Sequence, residues 1–166
     1  MELAIVGLGR MGGNMVKRLL RDGHRVVAYN RSPEPVREAE AAGAIGAYSL
    51  EEVVERLSSP RVVWLMVPAG EPTEQMVERF AALLGSGDIL IDGGNSYWKD
   101  SVRRAEWLRE RGIQFLDVGT SGGIWGLELG YCLMIGGEEA AFRIVEPAFR
   151  TLAPENGYRH VGPSGA

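Results

Sequence analysis

The N-terminal stretch "ELAIVGLGRMGGNMVKRLL" constrains this chain more than any other. A short apolar run ends in Gly7-x-Gly9-x-x-Gly12. Met11, Met15, Val16, Leu19 and Leu20 then recur at helical spacing. Three glycines at a strand-to-helix junction have a physical meaning. Gly7 allows a tight turn, Gly9 lets a pyrophosphate approach the backbone, and Gly12 lets helix and strand pack closely. The first helical turn offers free amide donors and a positive dipole end to an anion. The spacing therefore predicts a dinucleotide site over Gly7, Leu8, Gly9, Arg10, Met11 and Gly12. A plain glycine turn is the alternative.

The pattern continues by alternation. "RVVAY", "AIGAY", "RVVWLMV", "DILID", "QFLDV" and "YCLMIGG" read as short apolar strands. Helical spacing lies between them: around Val36 to Ala42, from Ser49 as N-cap, over Met76 to Leu84, from Tyr97 to Arg111 with Gly112 as stop, and over Phe142 to Leu152. Such alternation predicts an α/β fold, a Rossmann-like, doubly wound and mostly parallel sheet with helices on both faces. A weak strand precedes "HVGPSGA". The 166 residues suit one dinucleotide-binding domain, 1–166, and no linker or repeat divides them.

The net charge of −4 argues against nucleic acid or an anionic membrane as partner. No apolar run reaches transmembrane length, and the N-terminus enters a strand without a basic leader. One cysteine permits no internal disulfide, so the cytoplasm is the expected compartment. Cys132 reads as a buried strand residue. His24 lies in a helix-to-strand turn and His160 near the tail; neither reads as catalytic. No spacing of His, Cys, Asp and Glu suggests a metal site.

The end of the second strand selects the dinucleotide. Asn30 stands where an acid commonly meets the ribose of NAD, so nothing there repels a 2′-phosphate. Arg31 can pair with that phosphate and Ser32 can donate a hydroxyl; a charge-assisted bond is worth roughly 1.5–3 kcal/mol. NADP is the expected cofactor, with NAD secondary. A surface turn before Pro33 is the alternative. Val67, Pro68 and Ala69 end the fourth strand at the ligand edge of such sheets and are read as cofactor-lining. In "IDGGNSYWKD", Asn95 and Ser96 present a carboxamide and a hydroxyl; Asn95 is assigned to both nicotinamide and substrate, with helix capping as the alternative.

With "GLGRMGGNM", "NRS", "VPAG", "DGGNS", "GTSGG" and "HVGPSGA" in this order and spacing, the whole chain resembles the 6-phosphogluconate dehydrogenase family, the decarboxylating enzymes of the pentose phosphate pathway. The related β-hydroxyacid dehydrogenases typically carry Asp-x-Ser-Thr where this chain has "DGGNS". The resemblance implies that Ser121, Gly122 and Gly123 bind a small sugar acid, 6-phosphogluconate, beside the nicotinamide. It thereby accounts for the five glycines of "DVGTSGGIWGLELG". Ile124 and Trp125 replace two glutamates common in the family, which places the chain nearest the shorter bacterial branch.

The resemblance further implies oxidation of 6-phosphogluconate, loss of carbon dioxide, and ribulose 5-phosphate with NADPH as products. The family's lysine base lies beyond the position of Ala166, as does the helical domain through which the full-length protein is expected to form a homo-oligomer. No catalytic residue is therefore assigned within these residues, and cofactor binding without turnover is expected. The rivals are a β-hydroxyacid dehydrogenase or imine reductase, and a stand-alone NADP-sensing module, which a natural end at Ala166 would favour.

Overall fold

A computed structural model describes all of residues 1–166. Eight strands form one sheet in the order β3-β2-β1-β4-β5-β6-β7-β8. The strands are β1 (Glu2–Val6), β2 (Arg25–Tyr29), β3 (Ile45–Ala47), β4 (Val62–Leu65), β5 (Ile89–Asp92), β6 (Gln114–Ser121), β7 (Cys132–Gly137) and β8 (Tyr158–Gly162). The helices between them are α1 (Arg10–Arg21), α2 (Pro33–Ala41), α3 (Leu50–Glu55), α4 (Glu71–Leu83), α5 (Trp98–Arg109), α6 (Gly126–Leu129) and α7 (Glu139–Leu152). Every neighbouring pair of strands is parallel except β6 and β7. The doubly wound reading therefore holds, with one antiparallel turn-back. No helix is long and apolar enough to cross a membrane.

Two cores sandwich the sheet. On one face α1, α2 and α7 bury Met15, Val16, Leu19, Val36, Val145 and Phe149 against Leu3, Ile5, Trp64, Ile91 and Leu133. On the other, α3, α4 and α5 bury Val53, Val77, Phe80 and Leu108 against Val6, Val27, Leu65 and Leu90. The second cover stops at β6. Met134 on β7 and Val161 on β8 are exposed there, so helices lie on both faces of the sheet but leave this face of the last two strands open. Cys132 alternates with buried Leu133 on β7 and points outward. It is exposed rather than buried, which corrects the sequence reading.

Several boundaries have legible causes. Ser49 caps α3, its hydroxyl accepting from the amide of Glu52 at 3.1 Å. Pro33 starts α2 at a position where a missing N–H costs nothing. Gly112 turns the chain after α5 at φ +74°.

The glycine-rich stretch is more ordered than its composition suggests. β6 runs on to Ser121, and a 3-10 turn (Gly123–Trp125) then leads into α6. Arg18 on α1 holds this segment, donating to the carbonyls of Leu127 at 3.1 Å and Glu128 at 3.3 Å. The fold itself needs three of its glycines. A Cβ on Gly122 would lie 2.9 Å from the ring of Tyr131, one on Gly126 2.1 Å from that ring, and one on Gly130 2.8 Å from Pro154. Tyr131 is completely buried between them.

Gly126→Ala is expected to destabilise the domain by about 1–3 kcal/mol through overpacking against Tyr131. Gly85→Ala, where the nearest atom lies at 3.8 Å, should stay within about 0.5 kcal/mol. Thermal melts of both variants check this; equal melting temperatures would contradict the packing.

Candidate dinucleotide site

Strand order reverses between β1 and β4, the place where doubly wound sheets form their ligand crevice, between the loops that follow the two strands. The glycines of the first loop divide their work as the spacing predicts. Gly7 has φ +100°, and a Cβ on it would lie 2.2 Å from the carbonyl oxygen of Met66. A Cβ on Gly12 would lie 1.9 Å from the carbonyl oxygen of Gly7. Gly9 differs, because a Cβ there would meet nothing within 4 Å. Gly9 is also the N-cap of α1, with no side chain closing the helix and no acidic residue in the first turn. Open space before uncapped amides is the environment that a pyrophosphate requires, so the residues present fit a dinucleotide. Leu8 is buried, Met11 is half-buried, and Arg10 is exposed at the lip.

Asn30 is committed within the protein. Its Oδ1 accepts from the Leu8 amide at 2.8 Å, and its Nδ2 donates to the Ser32 carbonyl at 3.2 Å. It thus ties the glycine loop to the end of β2. Arg31 and Ser32 are exposed at that end. Neither side chain makes an ion pair or a capping bond. Across the crevice, Pro68 and Ala69 are exposed and Val67 half-buried. Thr73 braces this loop from α4, its hydroxyl donating to the Pro68 carbonyl at 2.8 Å.

In the next loop, Gly93 and Gly94 are required by close packing within the fold. A Cβ on Gly93 would lie 2.4 Å from the Trp64 indole nitrogen, and one on Gly94 2.6 Å from the Val67 carbonyl oxygen. Asn95 stands at φ +56° and caps no helix. Its Oδ1 accepts from the Thr120 amide at 2.9 Å, and its Nδ2 donates to the Thr120 carbonyl at 3.2 Å. The Ser96 hydroxyl turns inward to Asp92 rather than outward to a substrate. Beyond Thr120, Ser121 is exposed and pairs with Cys132. Gly123 has φ +49° and open space around it. Ile124 and Trp125 stand 56% and 66% exposed beside it.

Beneath that loop lies an ionic network that was not foreseen. Arg104 on α5 donates from Nε to Glu74 at 2.8 Å and from Nη1 to Ser96 Oγ at 3.2 Å, and lies 3.6 Å from Asp92. Hydrogen bonds from Arg103, aided by Arg104, hold the Glu74 carboxyl at about 2, well below its ordinary range, against the opposing effect of burial. A signal was available, since Ser101, Arg104, Ala105 and Leu108 share the buried face of α5. An arginine at a core position needs partners.

A cleft of about 440 Å³ opens nearby, with Asn95, Trp98, Asp117 and Met134 among its walls. Burial raises the Asp117 carboxyl, opposed by the Gly165 amide and the Ser164 hydroxyl that bond to it. The histidines lie elsewhere. His24 sits between the N-terminal amine and Thr151, and burial and that amine lower its pKa. His160 stacks on Phe142 and contacts the Gly137 carbonyl at 2.7 Å.

Comparison with known proteins matches this geometry. The family described as the NAD binding domain of 6-phosphogluconate dehydrogenase matches residues 2–162. A putative 6-phosphogluconate dehydrogenase of Bacillus subtilis is 42% identical over 166 residues, covering 100% of this chain and 56% of that protein. An NAD(+)-dependent, decarboxylating 6-phosphogluconate dehydrogenase of Haloferax volcanii is 43% identical over 167 residues, covering 55% of its length. The chain thus spans about half the length of these relatives. Among solved structures, the 6-phosphogluconate dehydrogenase of Plasmodium falciparum, studied with NADP+ and with 6-phosphogluconate, superposes with TM-score 0.91 at 28% identity, over 99% of this chain and 38% of that one. The 3-hydroxyisobutyrate dehydrogenase of Mycobacterium tuberculosis gives TM-score 0.89 at 28% identity, over 99% of this chain and 55% of that one. By its match over nearly all its length, the chain belongs to the family of NAD-binding domains of 6-phosphogluconate dehydrogenase.

Proposed function

We propose that this domain binds NADP, and NAD more weakly, across the β1–β4 crevice as the cofactor half of a decarboxylating 6-phosphogluconate dehydrogenase. The observation that carries the reading is the pairing of an open, uncapped α1 N-terminus at Gly9 with an unpaired arginine, Arg31, at the end of β2. The first receives the pyrophosphate. The second meets the 2′-phosphate, with Ser32 beside it. Val67, Pro68 and Ala69 form the opposite wall. Bound there, the dinucleotide supplies a hydride acceptor.

The chain's own residues bind and orient. Ser121 and the backbone at Gly122 and Gly123 would receive the sugar acid from the end of β6. Asn95 would act at this edge by fixing Thr120, since its carboxamide is already engaged. Neither lysine occupies the motif of the family's base: Lys17 lies on α1 and Lys99 on α5 beside Trp98. The base for the reaction, the oligomer contact and the remaining substrate contacts are assigned to the part of the relatives that extends past this domain. A metabolic enzyme of the cytoplasm, without nucleic-acid or membrane partner, completes the reading. The Haloferax relative's NAD(+)-dependence favours a second reading, in which NAD is the working cofactor.

Calorimetry separates the two. Arg31→Ala should weaken NADP by roughly 1.5–3 kcal/mol and leave NAD almost unchanged; equal losses would remove Arg31 from the 2′-phosphate. Gly9→Ala should weaken both dinucleotides by about tenfold or more, close to 1.4 kcal/mol, with an unchanged melting temperature. On this reading the 166-residue domain should bind cofactor but reduce none with 6-phosphogluconate, because the base, worth about 10²–10⁴-fold in rate, is assigned outside it. Turnover above trace level would place the base within these residues.

A further inference from the structure

We propose that Arg104 is a positioning residue, which sets loop 93–96 against the end of β6 by holding Ser96 and Asp92 from beneath. The inference deepens the proposed function, and it rests on that reading only for the claim that Asn95 and Ser121 border the substrate.

The geometry runs in one direction. Arg104 is 1% exposed, with Glu74 on one side of its guanidinium and Ser96 and Asp92 on the other. Asp92 hooks the loop twice. Its Oδ1 accepts from the Gly94 amide at 2.8 Å, and its Oδ2 accepts from the Ser96 hydroxyl. These two anchors flank Asn95 and hold it at φ +56°, a left-handed conformation that asparagine adopts more readily than most residues other than glycine. Held so, the Asn95 carboxamide grips both backbone groups of Thr120, one residue before Ser121. Glu74 is next to Thr73, which braces Pro68 on the cofactor wall. The start of α4 therefore supports both loops, one through Thr73 and one through Glu74 and Arg104.

Stability alone does not account for the arrangement. A buried ionic cluster gains little over apolar packing of the same volume, and apolar replacement is often neutral or better. What an apolar residue cannot supply is the directional bond to Ser96. A planar guanidinium spans Glu74 and Ser96 together, while a lysine offers one compact ammonium group.

The test is amide hydrogen exchange by NMR on the 166-residue chain, with Arg104→Met, Arg104→Lys and Ser96→Ala. Arg104→Met should raise exchange at the Gly94 and Thr120 amides by about tenfold or more, while Ile91 and Val63 in the sheet keep their protection. Arg104→Lys should restore part of it. Ser96→Ala removes only the hydroxyl link, so it should raise exchange at Thr120 even if Arg104→Met fails to fold. Unchanged exchange at Thr120 and Gly94, or a rise shared equally by Ile91 and Val63, would overturn the proposal. NADP titration of the wild-type chain separately tests the cofactor reading, and its failure would leave the exchange result standing.

Discussion

The contact between the turn after β1 and the end of β4 carries the rest of the site. The Met66 amide donates to the Val6 carbonyl at 2.7 Å, and the Gly7 amide donates to the Tyr29 carbonyl at 2.9 Å. The turn is thereby pinned to both neighbouring strands. Gly7 then has no room for a Cβ against Met66, and Gly12 has none against Gly7. With these two distances set, α1 must leave the sheet at one angle, and its first amides must face the crevice. Asn30 fixes the same turn from the other side through the Leu8 amide. An anion site built from backbone donors needs such rigidity, because no side chain is available to adapt.

The second half of the site is built on polar tension rather than close packing. Asp92, Ser96, Arg104 and Glu74 are drawn together beneath a loop whose visible residue, Asn95, spends its own polar atoms on Thr120. Exposed polar groups along this edge include Ser121, the backbone near Gly123, Arg10, and Arg31 with Ser32 at the far end. Ile124 and Trp125 make the rim beside Gly123 apolar.

The glycine-rich stretch shows how one composition serves two needs. Gly122, Gly126 and Gly130 make way for Tyr131 and Pro154, while Gly123 alone among the four faces open space. A reading by resemblance assigned the pair Gly122 and Gly123 to a ligand. Contacts within the fold divide that pair, since the first lies against an aromatic ring and the second does not.

Much of the architecture was legible in the sequence because it rests on local rules. Apolar runs separated by helical spacing, Ser49 as a cap, Gly112 as a stop and the Gly7–Gly9–Gly12 spacing each act over a few residues, and all stand where they were expected. The family, too, is written in short motifs whose order survives in one dimension. Tertiary structure alone decided which polar groups are free. Asn30, Asn95 and Ser96 have the same chemistry whether bonded or not, and their partners Leu8, Thr120 and Asp92 are named by folding, not by spacing. The exposure of Cys132 follows from helices that stop at β6, a limit no strand pattern records. Arg104 reaches its core position because α4 and β5 supply carboxylates to meet it, and that meeting exists only in three dimensions.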